Sequence, residues 1–258
     1  MNYGMEISAS GALSALYRQD VLANNLANAQ TVGFKPDVPT SRFRAAAREE
    51  DGLYSLASNA MLEKLGAGNM AAPNRISFSQ GALDRTDEPL DLAIQGDGFF
   101  VVRDSNDAAN PIRVTRDGRL ARSAGGQLVM AVSGLPVLDP AGNSINLRGT
   151  GEIKIDGAGV VTQGGQEAGR IHLLHIPDPW RMGKQGNSLF IPPTNAVLSR
   201  TPGTGTIRQG HVEQSSVDSV KALMDVAGAG REVEANIAMI RSQDRMMDRA
   251  INALGRVA

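Results

Sequence analysis

Few side chains in this sequence have the types and spacing that catalysis or metal binding requires. His172 and His175 are three residues apart in a β-prone run, where alternation places them on opposite faces, with no acidic residue at ligand spacing. Ser215 and Ser216 with Asp218 lack the strand-turn-helix context of a nucleophile elbow, and a serine here suits a helix N-cap. The sequence therefore predicts no enzyme activity, no metal site and no cofactor.

Two further motifs match ligand sites only in part. Gly96-Asp97-Gly98 begins like a dinucleotide fingerprint, but the third glycine is missing and residues 99–102 continue as a strand. Residues 104–107 resemble the start of a calcium loop, but Ala109 stands where that loop requires glycine. We interpret the first motif as a hairpin turn and the second as a polar hairpin tip.

Composition excludes several classes of protein. The 258 residues carry 26 basic and 27 acidic side chains, and this net charge of -1 argues against binding to nucleic acid or to an anionic membrane surface. Cysteine is absent, which excludes disulfides and thiolate chemistry. Residues 1–6 lack the pattern of a cleavable signal peptide, and no apolar run is long enough to span a bilayer. We expect no membrane insertion, and any export must use another route.

The distribution of glycine and proline divides the chain. Residues 81–210 hold 20 of the 29 glycines and nine of the 12 prolines, whereas residues 211–258 hold no proline. Short β-prone runs separated by turn signals predict a central β-rich domain over 81–210. The predicted fold is α+β, with residues 1–35 and 211–258 as N- and C-terminal helices of one coiled-coil-like axial core domain. Residues 36–80 are predicted to be an extended connector or subunit-contacting arm, with a solvated linker as the alternative.

The C-terminal segment carries a heptad pattern. Positions from 223 to 254 that step by three and four residues are apolar in eight of ten cases, as in a coiled-coil seam. A thinner stripe of small residues runs along the N-terminal segment, and Gly33 offers a backbone conformation that ends a helix. Because this stripe is too thin to cover the seam, we expect further copies of the chain to contribute. Both termini are then expected to fold on assembly.

Asparagines cluster near the end of the N-terminal stripe. Asn24 and Asn28 are four residues apart, so they lie on one face of a helix, with Asn25 beside them. Their amides can bind a neighbouring backbone or a second helix, and local capping is the simpler alternative. The residues predicted to form an assembly interface are Asn24, Asn25, Leu26, Asn28, Gly33, Phe34, Leu223, Val226, Val233, Ile237, Ile240, Met247, Ile251 and Leu254.

Three blocks of sequence resemble those of the bacterial flagellar rod and hook proteins. The first is residues 23–28 with Thr31 and Gly33-Phe34-Lys35, the second is residues 90–102 with 115–118, and the third is residues 209–218. Two positions depart from the family's pattern, since Ser216 stands where asparagine is common and Val233 stands where an aromatic residue is common. These departures bear on the subtype and not on the family.

The resemblance implies an axial protein of the flagellar basal body. Such a protein is exported through the flagellar type III apparatus and polymerises helically in the periplasm, with copies of itself and other rod or hook axial proteins as partners. The length and modest central domain favour a rod subunit of the proximal or distal type. One alternative is a hook or hook-junction subunit. Another, from a different class, is a periplasmic binding module whose helical ends dimerise.

Overall fold

The computed structural model describes residues 3–46, 49, 52, 66–107, 110–149, 151–194 and 201–254. It confirms an α+β chain with helices at both ends and a central β-rich region. The chain forms two compact units. The helical unit comprises Met1–Ala27, Asp37–Arg75 and Asp218–Ala258, and the β unit comprises Asn28–Pro36 and Ile76–Val217. These cuts fall after residues 27, 36, 75 and 217, whereas the sequence suggested 35, 80 and 210.

Among its described residues, the helical unit contains two long helices and one pair of strands. Helix α1 spans Tyr3–Ala27 and helix α2 spans Ser219–Leu254. Strands β1, Asp37–Phe43, and β2, Asn69–Ile76, form a two-stranded sheet within the segment predicted as a connector. The helical pattern expected at residues 53–65 lies outside the described residues.

The ends of both helices differ from the sequence expectations. Asp218, and neither Ser215 nor Ser216, caps α2, because its Oδ1 accepts hydrogen bonds from the backbone N–H groups of Val220 and Lys221 at 3.0 Å each. The negative charge also suits the positive end of the helix dipole. Helix α1 ends at Ala27, so Gly33 does not end it. Gly33 does adopt a left-handed conformation, with φ of 67°, but within the β unit.

The β unit contains fourteen of the named strands. They are β3 Leu83–Arg85, β4 Leu92–Gln95, β5 Phe99–Arg103, β6 Ile112–Thr115, β7 Leu120–Arg122, β8 Leu128–Met130, β9 Ile153–Ile155, β10 Val160–Gln163, β11 Gln166–Arg170, β12 Leu173–Leu174, β13 Gly183–Gly186, β14 Leu189–Ile191, β15 Thr206–Gln209 and β16 His211–Glu213. The main sheets have the strand orders β12-β5-β6-β14-β13 and β11-β10-β9. Antiparallel pairs β15-β4, β16-β3 and β7-β8 complete the unit.

Strand β5 separates two apolar clusters. Phe100 and Val102 lie in one cluster, whereas Phe99 and Val101 lie in the other, as the alternation of side chains along a strand requires. The polar tip predicted at residues 104–107 is confirmed, since β5 and β6 form the hairpin around it. The hairpin predicted at residues 96–98 is wrong, because β4 pairs with β15 while β5 pairs with β6 and β12.

Candidate assembly site

Helices α1 and α2 pack antiparallel through small and polar residues. A β-carbon at Gly4 would lie 3.0 Å from Gln243, and one at Gly11 would lie 2.7 Å from the side chain of Asn236. Further along, Arg18 Nη1 is 3.5 Å from Glu232 Oε2. Glycine at positions 4 and 11 therefore leaves room for the amide side chains of α2.

The face that α2 buries is rotated from the predicted seam. Ala222, Ala229 and Val233 are buried, whereas Leu223 is 60% exposed and Ile237 is 39% exposed. Three of the predicted seam positions do face α1 or its edge: Val233 is buried, and Val226 and Ile240 are half-buried. Leu223 lies one residue from the buried Ala222, and Ile237, Met247 and Ile251 are also exposed.

Helix α2 extends beyond the end of α1. Gly4 lies opposite Gln243, while α2 continues to Leu254 and has 36 residues against 25 in α1. We name residues 244–254 the overhang, and eleven helical residues span about 16 Å. Within it, Met247 is 45% exposed and Ile251 is 63% exposed. The side chain of Leu254, also predicted at the interface, lies outside the description.

Asn25 and Asn28 each form hydrogen bonds within their own unit. Asn25 is buried, its Nδ2 donates to the backbone O of Asp37 at 2.7 Å, and its Oδ1 accepts from the Asp37 backbone N–H at 3.0 Å. Asn28 Oδ1 accepts a hydrogen bond from Thr31 Oγ1 at 3.1 Å, a local contact of the kind expected for capping. Asn24 is exposed and Leu26 is half-buried. Asn25 thus fastens β1 to α1.

Gly33 and Phe34 belong to the β unit. The Gly33 N–H donates to the backbone O of Glu213 at 2.7 Å, and a β-carbon on Gly33 would lie 2.4 Å from the backbone N of Asp117. Real β-carbons do not approach a backbone atom this closely, so only glycine fits. Phe34 is half-buried, with the Lys184 ammonium 4.5 Å from its ring centroid, a cation–π contact.

A buried ion network lies directly beyond Phe34. Lys35 Nζ contacts Glu213 Oε1 at 2.6 Å, and both side chains are fully buried. Arg116 Nη1 lies 3.3 Å from Glu213 Oε2, and the Arg116 guanidinium stacks on Phe99 at 5.0 Å. Lys35 Nζ also donates to the backbone O of Ser79 at 2.7 Å. We call Lys35, Arg116 and Glu213 the buried triad.

Burial and the carboxylate of Glu213 have opposing effects on the pKa of Lys35 in the triad. Burial lowers the pKa of Lys35, the carboxylate of Glu213 opposes this by its charge and hydrogen bond, and the charge of Arg116 lowers the pKa further. The Glu213 carboxylate accepts a third hydrogen bond, at Oε1, from the Gly81 N–H at 2.9 Å. Burying such charges is costly unless each has partners, which makes the partners of Glu213 essential to the fold.

The triad brings together the three sequence blocks. Lys35 comes from the first, Arg116 from the second and Glu213 from the third. Sequence reasoning did not single out these charges, because nothing in a single sequence shows that a lysine or glutamate is buried. Their positions inside the three blocks were the available signal.

The described residues hold no group of three or more histidines and acidic side chains able to bind a metal ion. His175 Nδ1 contacts Asp97 Oδ2, an acidic neighbour 78 residues away that local spacing does not reveal. Among the described residues, no helix has an apolar stretch sufficient to traverse a bilayer. The structure thus combines a helical unit with an exposed apolar face and a β unit with its own core.

Comparison with known proteins gives the family. Three family models match: "Flagella basal body rod protein" over residues 5–35, "Flagellar hook protein FlgE/F/G D1 domain" over 93–163, and "Flagellar basal body rod FlgEFG protein C-terminal" over 208–253.

Similar proteins align over nearly the whole chain. The flagellar basal-body rod protein FlgF of Mesorhizobium japonicum is 30% identical over 99% of both chains, and FlgF of Caulobacter vibrioides is 31% identical over 100% of both. FlgG of Buchnera aphidicola subsp. Schizaphis graminum is 31% identical over 94% of this chain and 96% of its own.

The chain belongs to the flagellar basal-body rod protein family, which confirms the resemblance. It is a structural protein and not an enzyme, and its place is the flagellar basal body. These relatives do not favour the hook or hook-junction alternative, nor the periplasmic binding module.

Proposed function

We propose that this chain polymerises with copies of itself and with other axial proteins into the hollow, torque-transmitting shaft of the rod. The terminal helices form its inner wall and the β unit packs outside. The protein works in the periplasm, after export by the flagellar type III apparatus. Membership of the rod family supports the structural role in the rod. The export route and the periplasmic location are what the family resemblance implies.

The overhang is the observation that carries the proposal. Met247 and Ile251 continue the predicted heptad stripe beyond the end of α1, and both side chains are exposed. Burying one such side chain contributes about 1.5–3 kcal/mol. A neighbouring copy would cover them, and the helices of several copies would then form the coiled-coil-like layer predicted from the heptad pattern.

The contact must join two different surfaces to build a shaft. An overhang at the C-terminal end of α2 that docks on another part of the next copy makes a heterologous, non-closing contact. Two copies that covered each other's overhangs would instead form a closed dimer. Growth of particle mass with concentration therefore distinguishes a filament from a dimer.

Paired variants in the overhang test the proposal. Ile251→Asn removes an exposed apolar side chain on the stripe. The control variant Arg249→Asn introduces asparagine on the opposite side of the helix. Sedimentation velocity and light scattering should show that Ile251→Asn raises the protein concentration needed for growth about tenfold or more. Arg249→Asn should assemble like the wild type. Equal growth of all three proteins would contradict the proposal.

The export route has its own test. In cells that lack the flagellar type III apparatus, the protein should accumulate in the cytoplasm, and fractionation with an antibody would detect it. Appearance of the protein in the periplasm of such cells would overturn this part of the proposal.

A further inference from the structure

The chain passes between the helical unit and the β unit four times. The connections lie at residues 27–28, 36–37, 75–76 and 217–218. Three segments of the β unit adjoin them, and we call these the first, second and third connecting segments. They are residues 28–36, 76–82 and 211–217. A force that pulls one unit against the other therefore stretches these three segments.

Backbone hydrogen bonds join the second connecting segment to both of the others. The Ser77 N–H donates to the backbone O of Pro36 at 2.9 Å, which joins the second segment to the first. The Gln214 N–H donates to the backbone O of Ala82 at 2.8 Å, which joins the third segment to the second. The three segments thus lie side by side before the chain leaves the β unit.

The buried triad joins all three connecting segments in one place. Lys35 lies in the first segment and Glu213 in the third, and their side chains meet at 2.6 Å. Both side chains also bind the second segment, because Lys35 Nζ donates to the backbone O of Ser79 at 2.7 Å and Glu213 Oε1 accepts from the Gly81 N–H at 2.9 Å. The backbone O of Glu213 accepts from the Gly33 N–H at 2.7 Å, so the first and third segments are joined twice.

Burial makes the bonds of the triad difficult to break. The side chains of Lys35 and Glu213 are fully buried, and that of Arg116 is 6% exposed. Hydrogen bonds between charged groups are about twice as strong as neutral ones, and a buried site has a low dielectric constant that strengthens them. Separating the segments would leave a buried charge without its partner, which is strongly unfavourable. We therefore expect the triad to resist separation more than the backbone bonds do.

We propose that the buried triad is a mechanical clasp, which holds the three connecting segments together while the rod carries torque. This inference rests on the proposed function, because the torque is transmitted only in the assembled shaft. The clasp spreads a pull on one connection over all three segments, so that no segment bears the force alone.

Constant-force measurements on single full-length molecules test the proposal. The native chain has no cysteine, so a pair of introduced cysteines gives two defined attachment points. The pair Ala71→Cys and Ser105→Cys, at exposed positions of the helical and β units, pulls on the second connecting segment. The pair Met224→Cys and Ser105→Cys, also exposed, pulls on the third. The measured quantity is the time to the first extension at a fixed force.

Lys35→Met is the primary variant, because it removes the bonds to Glu213 and Ser79 while Arg116 still neutralises the carboxylate. The time to the first extension should fall about tenfold or more with both attachment pairs. The control Leu147→Ala truncates a fully buried side chain of the other apolar cluster, away from the one that contains Phe99. It should lower the stability of the β unit in urea but leave the time to the first extension close to that of the wild type.

A second variant keeps the test open if Lys35→Met does not fold. Glu213→Gln keeps an acceptor for the Gly81 N–H but loses the charge that holds Lys35, so it should also shorten the time to the first extension. Wild-type times in the triad variants, or shortening with one attachment pair alone, would overturn the clasp. Equal shortening by Leu147→Ala and the triad variants would overturn it as well, because the whole unit would then bear the force.

This result is independent of polymerisation. Growth of particle mass with concentration tests the shaft, whereas the force measurement uses single molecules that do not assemble. Failure of the clasp would therefore leave the proposed function intact, and failure of growth would be seen without any force.

Discussion

The two units differ in how completely each covers its own apolar and charged side chains. The β unit encloses two apolar clusters and a fully buried ion network within its own chain. The helical unit instead leaves large apolar side chains on both helices exposed, such as Leu13 at 68% and Leu223 at 60%. A unit that buries even its charges is complete by itself, whereas one that exposes leucine on long helices has surface available for other copies.

The largest expected effect is on the free energy of unfolding of the β unit. Glu213→Gln leaves Lys35 and Arg116 buried without their carboxylate, which should lower the free energy of unfolding of the β unit by about 3–5 kcal/mol. Trp180 is the sole tryptophan and lies in the β unit, so its fluorescence in urea reports this unit alone. Glu167→Gln, at an exposed position, is the control and should change stability by less than about 0.5 kcal/mol. A loss below about 1 kcal/mol for Glu213→Gln would break the contrast between the units.

Two glycines with the same backbone conformation allow the stability cost of close packing to be measured separately from the cost of the left-handed conformation. Gly33 has φ of 67° and Gly134 has φ of 69°, but a β-carbon at Gly134 would meet nothing within 4 Å. Gly134→Ala should cost about 1 kcal/mol, for the left-handed conformation alone. Gly33→Ala should cost about 1–3 kcal/mol more, because the β-carbon overlaps the backbone of Asp117. Equal losses in urea unfolding would show that the Gly33 segment is loosely packed.

In the helical unit, Asn25 is the expected weak point. Asn25→Leu removes both hydrogen bonds to the Asp37 backbone and should cost about 1–3 kcal/mol of local stability, seen as faster exchange of the Asp37 amide. Asn25→Asp keeps the acceptor for that amide and should cost less. We still predict that Asn25→Leu and Asn28→Leu prevent polymerisation while the β unit stays folded. Unchanged filaments from both variants would argue against a role at the interface.

The smallest expected effect is on pH dependence. Burial holds the pKa of Lys35 below its ordinary 10.5 in the folded protein, so the unfolded chain binds more protons between these two values. Stability therefore rises with pH across that window, by less than about 1.4 kcal/mol per pH unit. Urea unfolding between pH 7 and 10 should show the wild type gaining on Lys35→Met as pH increases. A decreasing difference would contradict the assigned direction.

Periodicity predicted the helices but not the choice of face. The apolar stripe of α2 is wide enough for several partners. Helix α1 covers only the edge of this stripe that carries Ala222, Ala229 and Val233, because the residues of α1 at this contact are small. The β runs at β4, β5 and β9 followed from local composition alone. The burial of Lys35 and Glu213, which are 178 residues apart, depends on long-range pairing that no local pattern encodes.

The segment after α1 shows a second limit of sequence reasoning. The sequence predicted a positive φ at Gly33 but not its structural role. The same conformation can end a helix or permit two backbone segments to approach closely, and the sequence does not distinguish these roles. Only the contact with Arg116 and Asp117 distinguishes the two uses.

Hydrogen exchange of the overhang, in dilute monomer and in assembled protein, tests the central claim most directly. If the helical ends carry assembly, the amides of residues 244–254 should exchange fast in the monomer and at least about tenfold more slowly in the polymer. Amides of β5 and β8 should exchange equally in both states. Equal protection of residues 244–254 in the two states would contradict the account.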